Sequence, residues 1–456
     1  MPHRTMTSTT DPTQAFLEAA CAPRDAAHAT GTLERAQLLL AAHPGVATSD
    51  IHAAAVLGDD ATVRRFLAAD PRQATARGGP YEWDPLTHLC FSRYLKLDRA
   101  RSDGFVRAAA ALLDAGASPN TGWFEAGHEP NPVWESVLYG AAGVAHHAPL
   151  TRLLLERGAD PNDEETPYHA PESYDNGALE VLVESGKLTT DNLAMMLIRK
   201  HDWHDGDGVE YLLRHGADPN HQRRWGFTAL HHAIARDNHL EIIALLIDHG
   251  ADPSRTQEGL TATAMAARRG RGDLLELFER REVSVPLAGV DRLIAACARK
   301  DGAAVADIRE REPHLVTALL AMDGRLLAEF AGNGNTTGVA LLLELGVSPG
   351  AVFEEGDGYW GVAARSTALH VAAWRMRPDT VKLLLARGAP VDLRDGDDRT
   401  PLALAIKACV DSYWMERRSP ESVAALLAAG ASPENVAFPS GYGEVDDLLR
   451  QYGATA

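Results

Sequence analysis

Lysine is scarce in this chain: six of its 44 basic residues are Lys and the remainder are Arg. Positive charge as a whole is short, and the formal net charge is −19. A basic stripe that could release counterions from a phosphate backbone is missing, so a nucleic-acid binder is not expected. Attachment to anionic lipid is disfavoured for the same reason. Long apolar runs are absent too. No stretch approaches the roughly 18 to 20 apolar residues of a membrane span, and the opening MPHRTMTSTTDPTQ has no apolar core of signal-peptide length. Only four cysteines occur, Cys21, Cys90, Cys297 and Cys409, far apart and without zinc-like spacing. They read as buried, reduced thiols.

Catalytic signatures are equally thin. There is no Gly-x-Ser-x-Gly elbow, and no cysteine carries a local active-site pattern. Gly332-Asn333-Gly334-Asn335 has scattered glycine but no Lys-Ser/Thr ending, so it reads as a turn and not as a phosphate loop. No catalytic residue, metal ligand or cofactor is therefore expected. The Arg bias, with abundant Ala, suggests a GC-rich bacterial genome, and a cytoplasmic location is expected.

What is present is a repeat. With 456 residues, 45% of them hydrophobic, the chain could form two or three ordinary domains or one long solenoid. Internal periodicity decides for the solenoid. The stretch Thr228–Ser254 reads as a polar opening turn, a short helix through Ala235, a break at Asp237-Asn238 and a second helix rich in Ile and Leu. It closes on His249-Gly250-Ala251-Asp252-Pro253. This closure of leucines, glycine and a following Pro-containing turn recurs at Gly116, Gly158, Gly216, Gly250, Gly346, Gly388 and Gly430. The glycine suits a left-handed residue at a helix C-terminus, and the proline cannot continue the helix. The leucine pair is expected to face the stack.

These residues resemble the ankyrin-repeat family. Thr228-Ala229-Leu230-His231, Thr367-Ala368-Leu369-His370 and Thr400-Pro401-Leu402 fit its opening pattern, in which Thr caps the first helix and His bonds back to the turn. Elsewhere the pattern has decayed, with Thr87 and Trp134 read as standing where His is expected. The resemblance implies an all-α solenoid of about twelve helix-turn-helix repeats with elaborated finger loops, since one such repeat cannot bury its apolar faces alone. The expected organisation is a disordered stretch 1–10, a capping helical pair 11–46, an array over 47–434 and a closing helix and tail 435–456. Repeats begin near 48, 84, 131, 166, 189, 226, 260, 288, 320, 365 and 399, with divergent ones over about 260–346. Pro171 should cut short the helix that opens at Thr166.

Family arrays present fingers and first helices on a concave side, and here the fingers are enlarged. Gly116 to Gly158 spans 42 residues, whereas Gly216 to Gly250 spans 34. Aromatic residues are only 6% of the chain, yet they recur in these polar loops. Trp83, Trp123, Phe124, Arg223, Arg224, Trp225, Glu354, Glu355, Tyr359 and Trp360 are the candidate binding residues, because exposed rings flanked by charge compose interface hot spots. About half of the rings are expected to face solvent. Two polar clusters read as solvated: His201-Asp202-Trp203-His204-Asp205-Gly206-Asp207 as a turn and Asp163-Glu164-Glu165 as a finger. The function expected is a monomeric protein-interaction module that binds a protein with a partly basic face along the concave groove. The alternative is an enzyme or small-molecule-binding protein with an aromatic-lined pocket there.

Overall fold

The computed structural model of the chain describes residues 11–22, 31–127, 131–222, 226–283, 285–434 and 436–453. The chain divides into two compact units, Met1–Ala251 and Asp252–Ala456. Among the described residues both are built from short helices, with strands confined to three two-stranded pairs. No described helix is long and apolar enough to cross a membrane.

In the first unit the repeat is plainest at Thr228–Gly250. Thr228 is extended, and its hydroxyl lies 2.8 Å from His231 Nδ1, tying the turn to the first helix, Ala229–Ala235. Asp237 turns the chain with φ +50°, and the buried Asn238 donates to His201 O of the preceding repeat at 3.0 Å. The second helix, Leu240–Asp248, buries Ile242, Ile243, Leu246 and Ile247. Leu245, expected to face the stack beside Leu246, is only half-buried. At about 100° per residue the four buried side chains share one arc of the helix, and Leu245 falls outside it. Gly250 then takes φ +85°, and Ala251 N bonds back to Leu246 O at 2.9 Å. A Cβ at Gly250 would meet nothing within 4 Å, so glycine is required by backbone conformation and not by space.

The other first helices of this unit start at N-caps Asp50, Asp84, Ser136, Glu164 and Thr189. Ser136 corrects one expectation. Trp134 lies in a strand before the cap, and Tyr139 occupies the third helical position where the family pattern has His. The insertion that lengthens this finger places the helix start five residues later than that reading, with the cap at Ser136.

The helix that opens after Glu164 runs only over Glu165–His169, and Pro171 follows. The lost turn is replaced by side chains from the next repeat. Lys200, fully buried, donates to Pro171 O at 3.2 Å and to Ser173 O, and pairs with Asp205 at 2.7 Å. Its ammonium satisfies carbonyls that a longer helix would have bonded internally.

In the second unit the divergent stretch is helical. Val290–Ala298 pairs with Gly302–Arg311, an additional helix Pro313–Leu320 follows, and Arg325–Gly332 pairs with Thr336–Glu344. Asn335 ties these together by donating to Gly270 O and Ala298 O, each at 2.8 Å. Gly332–Asn335 is thus a turn whose side chains hold the neighbouring repeats. Ala368–Trp374 and Pro401–Val410 continue the stack, opened by Thr367 and Thr400.

Candidate functional site

Among the described residues the longest-paired finger is a hairpin. Strand β1, Gly122–Glu125, pairs antiparallel with β2, Val133–Ser136, and sets Trp123 opposite Glu135 and Phe124 opposite Trp134. Alternation along a strand sends these pairs to opposite faces. Trp123 turns inward, 5.3 Å from the Trp83 ring and 6.1 Å from Phe91. Glu135 beside it is fully buried. Phe124 and Trp134 turn outward and are 59% and 41% exposed. Neighbouring fingers brace the hairpin: Thr121 Oγ1 donates to Asp84, and Ser136 Oγ donates to Asp163.

Two of the rings expected on the binding surface are core instead. Trp83 is 5% exposed, stacked on Tyr81 at 4.5 Å and set edge-on to His88 at 5.4 Å. Trp360 is 6% exposed in a cluster with Trp374 and Trp414. Its carbonyl accepts from Trp374 Nε1 at 2.6 Å, and the Arg375 guanidinium lies over its ring at 4.7 Å. Trp83 and Trp360 fold back onto the helices that follow them because a ring of that size gains more from burial than from solvent. Tyr359 is half-buried against the Trp360 cluster, whereas Glu354 and Glu355 are exposed. Arg223, Arg224 and Trp225 lie outside the described residues. Trp134 was missed as a site residue. Its signal was the alternation of Val133-Trp134-Glu135-Ser136 against Gly122-Trp123-Phe124-Glu125.

The two polar clusters expected to be solvated are also largely buried. Asp163 accepts from Thr166 and Ser136, and burial raises its carboxyl above the ordinary range despite those bonds. Glu165 lies 3.2 Å from His169 Nε2, and Glu172 lies 2.9 Å from His169 Nδ1. Glu172 also pairs with Arg199, which pairs in turn with Asp202. Asp202 finally accepts from His232 Nε2 at 2.9 Å and Arg236 Nε at 2.6 Å. With His169 protonated, three carboxylates and three cations alternate across three consecutive repeats.

Burial opposes every charge in this chain, and the partners outweigh it at most positions. Burial would lower His169, but Glu165 and Glu172 raise its pKa above the ordinary value. Burial would raise Glu172, yet His169 and Arg199 bring it down to about 2. Asp202 is likewise held well below the carboxylate range by His232, Arg199 and Arg236. At His232 burial wins, so the ring is neutral and donates from Nε2. His201 is buried, with Nδ1 2.7 Å from Leu197 O and a pKa lowered to about 3 by burial first and His232 second. Asp202 and His201 therefore serve the stack from separate directions.

A cleft of about 320 Å³ in the second unit lies between Gly302–Arg311 and Thr336–Glu344, lined by Val305, Arg309, Glu310, Leu341 and Glu344 among others. None of the ring-bearing finger residues lines it.

Residues 195–285 match the family model for ankyrin repeats in three copies, and residues 365–396 match that for a single ankyrin repeat. Over 81 residues, 18% of the chain, it is 35% identical to Potassium channel AKT1 of rice, in both the indica and japonica subspecies. Over 70 residues, 15% of the chain, it is 41% identical to the E3 ubiquitin-protein ligase hecd-1 of Caenorhabditis elegans. These matches span only 9% and 3% of the relatives' own lengths. Among solved structures, the human ASB11 ankyrin repeat domain is similar at 18% identity and TM-score 0.27, covering 57% of this chain and 98% of that one. The ankyrin repeat domain of Bcl-3 is similar at 23% identity and TM-score 0.24, covering 51% and 97%. The recurrent Thr-capped helix, glycine-closed second helix and outward finger, together with the two matched segments, identify ankyrin repeats in this chain.

Proposed function

We propose that this ankyrin-repeat protein is a protein-interaction module whose first unit engages its partner through the finger side of the stack, on the concave groove. Ankyrin repeats generally serve protein–protein interaction. The observation that carries the reading is the outward Phe124–Trp134 pair, held on a braced hairpin while Trp83 and Trp360 are folded into the core. Large rings left in water on a rigid support are the composition of a hot spot, with little ordering cost on binding. The exposed Glu354 and Glu355 lie on a finger of the second unit, where their charge can steer association with that unit's own contact. The partner is a protein with a partly basic face, and the module acts as a monomer.

The test is site-specific photo-cross-linking. A photoreactive phenylalanine analogue is placed at Phe124 and, separately, at Trp360. The Phe124 probe should yield a discrete cross-linked protein from native lysate that a Trp134→Ala change removes. The Trp360 probe should give only intramolecular product. A partner captured from Trp360 and not from Phe124 would reverse the assignment.

A further inference from the structure

The hairpin face has a chemical character that narrows the partner. Three consecutive fingers meet there: 79–85, the hairpin itself, and 160–165. Trp83 touches Trp123, Thr121 bonds Asp84, and Ser136 bonds Asp163, so the three stand side by side. Among their described residues every charged side chain is Asp or Glu. Glu82, Asp160 and Glu164 are exposed and Glu125 is half-exposed, while the exposed Arg77 precedes the Gly78–Trp83 bridge that closes the first finger. Phe124 and Trp134 thus form an apolar, electron-rich platform inside an acidic rim.

From this geometry we infer that the outer face of the β1–β2 hairpin docks an extended protein segment bearing arginine or lysine, laid across Phe124 and Trp134. This rests on the interaction-module reading above and specifies the partner's chemistry. A guanidinium or ammonium is attracted to the face of an aromatic ring, most strongly to tryptophan. The carboxylates of the flanking fingers draw such a segment in and set its register. A segment with aspartate or glutamate would meet like charge on both sides. A second copy of this chain, with net charge −19, would on average be repelled in the same way.

An unbiased peptide-display library, selected on the full-length protein and on a Phe124→Ala/Trp134→Ala variant, tests this. Both residues are exposed, so the variant should melt with the wild type, which is measured first. The expected result is enrichment of Arg- and Lys-containing peptides by the wild type alone. One enriched peptide is then titrated beside its Arg→Gln copy. The copy should bind about tenfold more weakly or worse, and binding of the parent should fall by a similar factor between about 0.05 M and about 0.5 M salt. Enriched peptides that need the ring pair but carry no cation would overturn the inference and leave the interaction-module reading intact. Peptides enriched equally by both proteins, or no enrichment at all, would overturn the docking face itself.

Discussion

Asp202 is the residue on which the buried ionic chain of the first unit turns, and Asp202→Asn is its sharpest test. The substitution keeps the size of the side chain and removes one negative charge from among Arg199, His232 and Arg236. Asparagine can still accept one hydrogen bond, so the loss is electrostatic. Breaking a buried ion pair costs about 3 to 5 kcal/mol because the surviving charge stays desolvated. Arg199 retains Glu172, and Arg236 is partly open to water, so the lower end, about 3 kcal/mol, is expected. A stack of repeats unfolds locally, so hydrogen exchange suits this better than a single melting temperature. Exchange should accelerate in Glu165–His169, Thr190–Lys200 and Ala229–Ala235 and stay unchanged in Ile51–Val56. The pH dependence has a fixed sign. Asp202 has a folded pKa below its ordinary 3.8, so its contribution is present above that value and is lost as pH falls through the folded pKa. The gap between wild type and variant should narrow only in strong acid. A loss under about 1 kcal/mol, the range of a solvent-exposed pair, would refute a desolvated chain, as would faster exchange spread evenly over the unit.

The two classes of finger ring should separate cleanly in chemical denaturation: Trp360→Ala should cost about 3 to 5 kcal/mol and Phe124→Ala about 0.5 kcal/mol or less. Equal losses would mean that the fingers pack alike. Gly250→Ala should destabilise by about 1 to 2 kcal/mol through backbone conformation alone, because its Cβ would have free space. A neutral result by the same denaturation assay would contradict the left-handed closure. Cys21 and Cys297, both buried with thiols pushed up to about 12 by burial, should stay unmodified by a thiol reagent near pH 8 until the protein unfolds. Rapid labelling in native protein, read by mass spectrometry, would show that these sites open.

The repeats were legible from sequence because their signals are local. A threonine that caps, a glycine that must take positive φ and a proline that ends a helix act within a few residues, so each copy could be read without its neighbours. The same holds for Pro171, which stops the helix after His169. Side-chain destinations were not legible in this way. Trp83, Trp123, Phe124 and Trp360 look alike as rings in polar loops. Which of them is buried depends on the helices against which each finger packs: Phe91 and His88 for Trp83, and Trp374, Arg375 and Trp414 for Trp360. Trp134 joined the site only through its register with Phe124 across the hairpin.

The polar clusters divide along the same line. By itself the sequence determined an all-helical stack of ankyrin repeats, because helix capping and helix closure are decided by neighbours along the chain. Tertiary structure alone decided that Glu165, Glu172 and Asp202 are buried beside His169, Arg199 and Arg236. Hydrophilic residues spaced up to 71 positions apart reveal their pairing only when stacking removes water from between them. Coulomb attraction in that drier space, too weak in solution to organise the chain, then holds three repeats to one another.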